Sequence, residues 1–165
     1  MTTLPANPLA ALVAAAAQKL PATTGATAQA AAMATRPLTV LADVSTSMGE
    51  RAGALVKIDL LQEALASIPA TARLIAFGSY PVDLGAARHL PPPNGSTALH
   101  LALEFLASAP PARMLVISDG HPDDARGALR AADRLGDLRI DVIFIGADSD
   151  RAGLSDGYGE DKDFN

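Results

Sequence analysis

Four short stretches of nearly unbroken apolar residues punctuate the chain: "LTVLA" at 38–42, "RLIAF" at 73–77, "RMLVIS" at 113–118 and "IDVIFIG" at 140–146. Runs this continuous, without alternation of polar and apolar positions, predict strands covered on both faces. Between them the apolar positions recur every three or four residues instead. Leu55, Ile58, Leu61, Leu65 and Ile68 mark a helix of about five turns, ended by Pro69. Leu99, Leu103 and Leu106 mark a second, closed by Pro110 and Pro111, and Ala125, Leu129, Ala132 and Leu135 a third, followed by Gly136. "YPVDLG", after the second run, predicts a short hairpin partner at the sheet edge, since Gly78-Ser79 is turn chemistry. Strands alternating with helices need crossover connections, which are right-handed. The expected fold class is therefore α/β: a Rossmann-like, doubly wound, mostly parallel sheet with helices on both faces and one antiparallel edge strand.

The flanks read differently. Residues 1–36 are rich in Ala, Thr and Pro, and only "NPLAALVAAAAQKL" has the composition of a helix, expected over 8–20 and stopped by Pro21. Residues 22–36 read as a linker or loosely packed arm. After the last apolar run comes "ADSDRAGLSDGYGEDKDFN", which has no apolar period. The expected organisation is an Ala-rich helix and linker over 1–36, one α/β domain over 37–147, and an acidic, glycine-containing tail over 148–165. A parallel sheet needs cover on both faces, and that tail cannot supply it. The helix of 8–20, through Leu9, Leu12, Val13 and Leu20, is expected to cover the face near the last strand.

Composition narrows the function. A chain of 165 residues, 49% hydrophobic, is long enough for one well-buried core and too short for two ordinary domains. Without cysteine there is no disulfide framework, thiolate metal site or cysteine nucleophile, which fits a reducing compartment. A formal charge of -5 with no local Lys/Arg cluster argues against nucleic acid as a partner. The apolar run 8–17 is too short to span a bilayer and has no basic segment in front of it, although Ala26-Thr27-Ala28 has the form of a cleavage site. The expectation is a cytoplasmic protein with no membrane span.

The candidate chemistry sits where apolar runs end. In open parallel sheets, ligands bind beyond the carboxyl ends of the strands, where strand order reverses. Asp43 follows "LTVLA" and Asp119 follows "RMLVIS". In extended chain, residues i, i+2 and i+4 point the same way, so Asp43, Ser45 and Ser47 in "DVSTSMG" can converge on one point. Oxygen donors of this kind suit a hard cation such as Mg²⁺. "PPPNGSTALH" brings a third contribution: Asn94-Gly95 permits a tight turn, and Ser96 or Thr97 is expected to cap the helix of the Leu99 stripe.

Asp43-Val44-Ser45-Thr46-Ser47-Met48, Thr97 within "NGST", and Ser118-Asp119-Gly120 together resemble the von Willebrand factor A domain with its metal-ion-dependent adhesion site. The resemblance runs from about residue 38 to residue 146 and includes the order of strands and helices. It implies that Ser45, Ser47 and Thr97 give hydroxyls to the metal, and that Asp43 and Asp119 bind it directly or through water. Mg²⁺ is the expected ion, with Mn²⁺ or Ca²⁺ as alternatives. It also implies a protein partner that completes the coordination with a carboxylate, met by a surface of Met48, Gly49, Gly95, Ser96, Gly120 and His121. Intracellular members often work beside AAA+ ATPases, so the resemblance extends to that class of partner. Two features depart from the family: Thr46 stands where it commonly has glycine, and the family usually continues past the last strand with a further helix.

An enzyme needs more than this. No general base is placed: His100 falls inside a helical pattern, His89 precedes a proline loop, and only His121 is near a candidate ligand, Asp119. The competing function is a metal-dependent phosphohydrolase of haloacid-dehalogenase-like type, since an aspartate at a strand end followed by Ser/Thr also resembles that nucleophile loop. That family expects a second aspartate where Ser45 stands, and a lysine near the third strand that is not found. A serine hydrolase would need a G-x-S-x-G elbow, which is absent. The sequence therefore reads as a metal-dependent binding module, not an enzyme.

Overall fold

The computed structural model describes residues 7–18 and 37–146. In chain order the elements are α1 (Pro8–Gln18), β1 (Leu38–Asp43), a 3-10 turn (Thr46–Gly49), β2 (Arg51–Ala52), β3 (Leu55–Val56), α2 (Lys57–Ala64) with a further 3-10 turn (Leu65–Ser67), β4 (Arg73–Phe77), β5 (Pro81–Gly85), α3 (Leu99–Leu106), β6 (Arg113–Ser118), α4 (Ala125–Arg134) and β7 (Arg139–Phe144). The four apolar runs form the parallel strands β1, β4, β6 and β7 of a five-stranded sheet ordered β5-β4-β1-β6-β7. The "YPVDLG" segment gives the antiparallel edge strand β5 beside β4. The architecture is thus the expected mixed α/β fold.

Alternation along the central strands divides the core into two layers. Val40, Ala42, Leu74, Ala76, Leu115 and Ile117 face one side, under α1 and α2. Leu41, Ile75, Phe77, Met114 and Val116 face the other, under α3 and α4. All six residues of β1 are buried, because it is the middle strand and is covered above and below.

The amino-terminal helix belongs to the first layer. Leu9, Val13 and Ala17 of α1 are buried in the same cluster as α2, and Ile143 and Ile145, at the end of the last strand, pack against or within it. The buried stripe is i, i+4, i+8, so Leu12 points away and is exposed, while Leu20 lies outside the described residues. Arg113 at the start of β6 donates to the carbonyls of Ala16 and Ala17 at 3.3 and 2.7 Å, giving carbonyls of the last helical turn a cationic partner.

Two helices differ from the periodic reading. The Leu55 stripe does not open α2: Leu55 pairs with Ala52 in a β2–β3 hairpin and is exposed, and the helix starts at Lys57. Gly53, at φ 68°, turns the hairpin in the left-handed region that glycine enters without a Cβ penalty. In α4 the buried positions are Gly127, Ala128 and Ala131, one step from the Ala125–Leu129 stripe, and Leu129 is exposed. Small residues on that face let α4 lie close to the core cluster it shares with α3.

Candidate functional site

β1 and β6 are neighbours, but the chain leaves β1 on one side of the sheet, through α2 to β4, and reaches β6 through α3 on the other. Their carboxyl ends therefore flank the point where strand order reverses, the place where open α/β sheets bind their ligands. Asp43 is the last residue of β1 and Asp119 follows the last residue of β6, so two distant carboxylates come to one edge.

The oxygens at this edge form a connected chain. The Ser45 amide donates to Asp43 Oδ1 at 2.8 Å and the Ser118 hydroxyl to Asp43 Oδ2 at 2.5 Å, so both oxygens of this fully buried carboxylate are engaged. Ser45 Oγ and Ser47 Oγ lie 3.0 Å apart, and Ser47 Oγ donates to Asp119 Oδ1 at 2.8 Å. Burial pushes the Asp43 carboxyl above the usual carboxylate range; the hydrogen bonds from Ser118 and Ser45 oppose the shift, and the nearby charge of Asp119 adds to it.

The loop after β1 holds this geometry from beneath. Ser45 precedes the 3-10 turn, whose first bond runs from the Met48 amide to the Ser45 carbonyl at 3.0 Å. Met48, expected on the partner surface, is instead fully buried in the core, because its apolar side chain anchors the turn. Gly49, Ser96 and His121 are exposed, and Gly95 and Gly120 are half-buried.

The third loop is docked by backbone bonds. The Asn94 amide donates to Val44 carbonyl at 2.8 Å, the Thr46 amide to Gly95 carbonyl at 3.0 Å, and the Ala98 amide to Gly78 carbonyl at 2.9 Å. Thr46, where the family commonly has glycine, adds a second bond from its hydroxyl to the same Gly95 carbonyl, at 3.0 Å, so the departure fastens two site loops together. Gly95 sits at φ 85° with the Ser79 backbone amide 3.1 Å from where a Cβ would be, which leaves no room for a side chain.

Thr97 reaches this edge by a route the sequence reading missed. Its amide donates to Asp123 Oδ1 at 3.1 Å and its carbonyl accepts from the Asp123 amide at 3.0 Å. No hydrogen bond joins its hydroxyl to Asp43, Ser45, Ser47 or Asp119, so the structure ties those four together and brings Thr97 to the edge by its backbone. Neither Ser96 nor Thr97 caps α3: the residue at that position is Ala98, with no side-chain cap. The aspartate cap belongs to α4 instead, where Asp124 accepts from the Gly127 amide at 2.7 Å.

The main addition is Lys57. Its ammonium donates to Asp119 Oδ2 at 2.8 Å and to Glu50 Oε2 at 3.3 Å. The Lys57 and Asp119 side chains are only 7% and 1% exposed, whereas that of Glu50 is 70% exposed. Burial alone would lower the Lys57 pKa, but the bonds and charges of Asp119 and Glu50 outweigh it and raise it, so the lysine is charged. A signal existed: Lys57, Leu61 and Ala64 share the buried face of α2, and a charged residue at an apolar position implies a buried partner. The phosphohydrolase reading is not favoured here, since Ser45 stands in the place of its second aspartate and this lysine meets Asp119 and not Asp43.

A hard divalent cation suits this donor set. An octahedral ion with oxygens near 2.1 Å has neighbouring ligands about 3.0 Å apart, and the Ser45–Ser47 and Ser47–Asp119 oxygens are separated by 3.0 and 2.8 Å. Among the described residues no cluster of three or more His, Cys, Asp or Glu is found. No helix among them is long and apolar enough to cross a membrane.

No protein-family model and no curated protein matches the chain. Solved structures do: the crystal structure of manganese-loaded Plasmodium vivax TRAP protein is similar at a TM-score of 0.59 and 20% sequence identity. The match covers 78% of this chain, which spans 64% of the length of that one. At this identity the likeness bears on architecture, and what it shows is a von Willebrand factor A-like, Rossmann-like α/β fold.

Proposed function

We propose that the chain is a divalent-metal-dependent protein-binding module, not an enzyme. Asp43, Ser45, Ser47, Thr97 and Asp119 would hold Mg²⁺, with Mn²⁺ or Ca²⁺ as alternatives, and the ion would supply an electrophilic centre for a carboxylate of a partner protein. The observation that carries this reading is the line of oxygens from Ser45 through Ser47 to Asp119, spaced at 3.0 and 2.8 Å where β1 and β6 end. The manganese carried by the structurally similar protein supports it.

The chain's own residues prepare the site in three ways. Ser118 and the Ser45 amide orient the Asp43 carboxylate. Thr46 holds the 94–98 loop against the loop after β1, and Asp123 holds it against the loop after β6, which keeps Gly95, Ser96 and Thr97 beside both strand ends. Hydroxyl donors add no charge, so an ion held by them and two carboxylates keeps its attraction for an incoming acidic group. Gly49, Gly95, Ser96, Gly120 and His121 would form the surface around that group. An AAA+ ATPase as the partner, and a cytoplasmic setting, rest on the sequence reading and the family resemblance alone.

Calorimetric titration with Mg²⁺ tests the site, and pull-down with Mg²⁺ against EDTA tests the partner. Asp43→Ala and Asp119→Ala should abolish Mg²⁺-dependent capture, and Thr97→Ala should weaken it less, since it removes no charge. If Asp43→Ala and Ser45→Ala bind the ion like the wild type, the reading is wrong.

A further inference from the structure

Lys57 is the one buried cation at this edge among the described residues, and the binding reading does not use it. We infer that Lys57 is a built-in counter-cation that competes with the metal ion for Asp119 and so holds the intrinsic metal affinity of the site low. The inference rests on the proposed metal site and concerns how that site is regulated.

Three observations carry it. Both oxygens of Asp119 are engaged, Oδ1 by Ser47 and Oδ2 by the Lys57 ammonium at 2.8 Å, so an ion that takes Asp119 meets a bound cation at the same carboxylate. Both side chains are withdrawn from solvent, at 7% and 1% exposed, so salt and water screen the pair little. With Asp43 and Asp119 each counted as -1 and Lys57 as +1, the inner charge is -1 instead of -2.

Glu50 makes the exchange feasible. It holds the same ammonium at 3.3 Å from an exposed position, so Lys57 can yield Asp119 and keep an anionic partner at the solvent edge. Lys57 and Glu50 also line a cleft between α1, the β2–β3 hairpin and the end of β7, which gives water access to the displaced charge. Stranding of a buried ammonium, the usual cost of breaking such a pair, is thereby lessened.

The charge count has a consequence for the partner. A divalent ion brings the inner charge from -1 to +1, because the ammonium that yields Asp119 Oδ2 stays beside the site on the exposed, screened Glu50, and one carboxylate then neutralises it. Without the lysine the loaded site would already be neutral and would draw an anion less. Lys57 thus makes ion retention depend on the acidic ligand, which couples the two binding events.

The test is Mn²⁺ titration of the full chain, read by electron paramagnetic resonance of the free ion, with wild type, Lys57→Met, Lys57→Gln, Lys57→Arg and Asp43→Ala. Lys57→Gln keeps a hydrogen-bond donor for Asp119 and serves if Lys57→Met does not fold. Both uncharged variants should bind Mn²⁺ at least about tenfold more tightly than the wild type, since each removes a like charge close to the ion. Lys57→Arg, which keeps the charge, should stay near the wild-type affinity. Acetate, standing for the partner's carboxylate, should strengthen Mn²⁺ binding more in the wild type than in Lys57→Met, a difference that a purely structural lysine would not produce. Uncharged variants that bind Mn²⁺ no more tightly than the wild type would overturn the role of Lys57 and leave the site standing. Binding that survives Asp43→Ala, or no binding by any form, would overturn the site reading and this inference with it.

Discussion

Loss of Asp119 should destabilise the metal-free protein and loss of the Asp43 charge should not, although both are buried carboxylates proposed for the same ion. Asp119→Ala removes the inner partner of Lys57, whose side chain is 7% exposed, and the acceptor of the Ser47 hydroxyl. Removing one partner of a buried pair costs roughly 3–5 kcal/mol, because the remaining charge is left uncompensated. Glu50 remains 3.3 Å from the ammonium, but its side chain is 70% exposed and gives only a screened replacement. The expected cost is therefore at the lower end, about 3 kcal/mol. For a domain of this size that corresponds to a fall of about 10 °C in melting temperature. Asp43→Asn keeps the shape and removes a charge whose burial is unfavourable, so it should leave stability unchanged or raise it. Denaturant unfolding in EDTA followed by circular dichroism measures both, and a Lys57→Met/Asp119→Ala double variant isolates the pairwise energy. An Asp119→Ala protein within about 0.5 kcal/mol of the wild type, or a double variant whose cost is the plain sum of the two singles, would refute the buried pair as described.

The pH dependence of the Asp43 effect has a fixed sign. Its folded pKa is raised, so the destabilisation it causes is present at neutral pH and is relieved as pH falls through that pKa. The advantage of Asp43→Asn in EDTA should shrink from neutral to mildly acidic pH, and an advantage that does not change with pH would contradict the assignment. Deleting residues 1–36 should lower the melting temperature or cause aggregation, since Leu9, Val13 and Ala17 leave the core together; a soluble monomer of unchanged melting temperature would show that α1 is dispensable. Gly95→Ala should destabilise by about 1–3 kcal/mol through its φ and the close Ser79 backbone, and loss of Mg²⁺-dependent capture should accompany it, which calorimetry and pull-down can check.

The sequence alone determined the strands and their order of use. Continuous apolar runs at 38–42, 73–77, 113–118 and 140–146 are local patterns that report burial on both faces, and all four became parallel strands. The i, i+2, i+4 spacing of Asp43, Ser45 and Ser47 was equally local, and two of its members, Ser45 and Ser47, lie in direct contact. What failed was also instructive: Leu55 and Leu129 satisfied a helical period, but hairpin closure at Gly53 and close packing of small residues on α4 left both exposed. Tertiary structure decided the rest. Lys57 and Asp119 are 62 residues apart, Thr97 and Asp123 are 26 apart, and the face that α1 covers is fixed by strands far along the chain. Such partners have no signature in spacing, because they are chosen by where the sheet brings its strand ends together, and that is a property of the folded packing and not of any one segment.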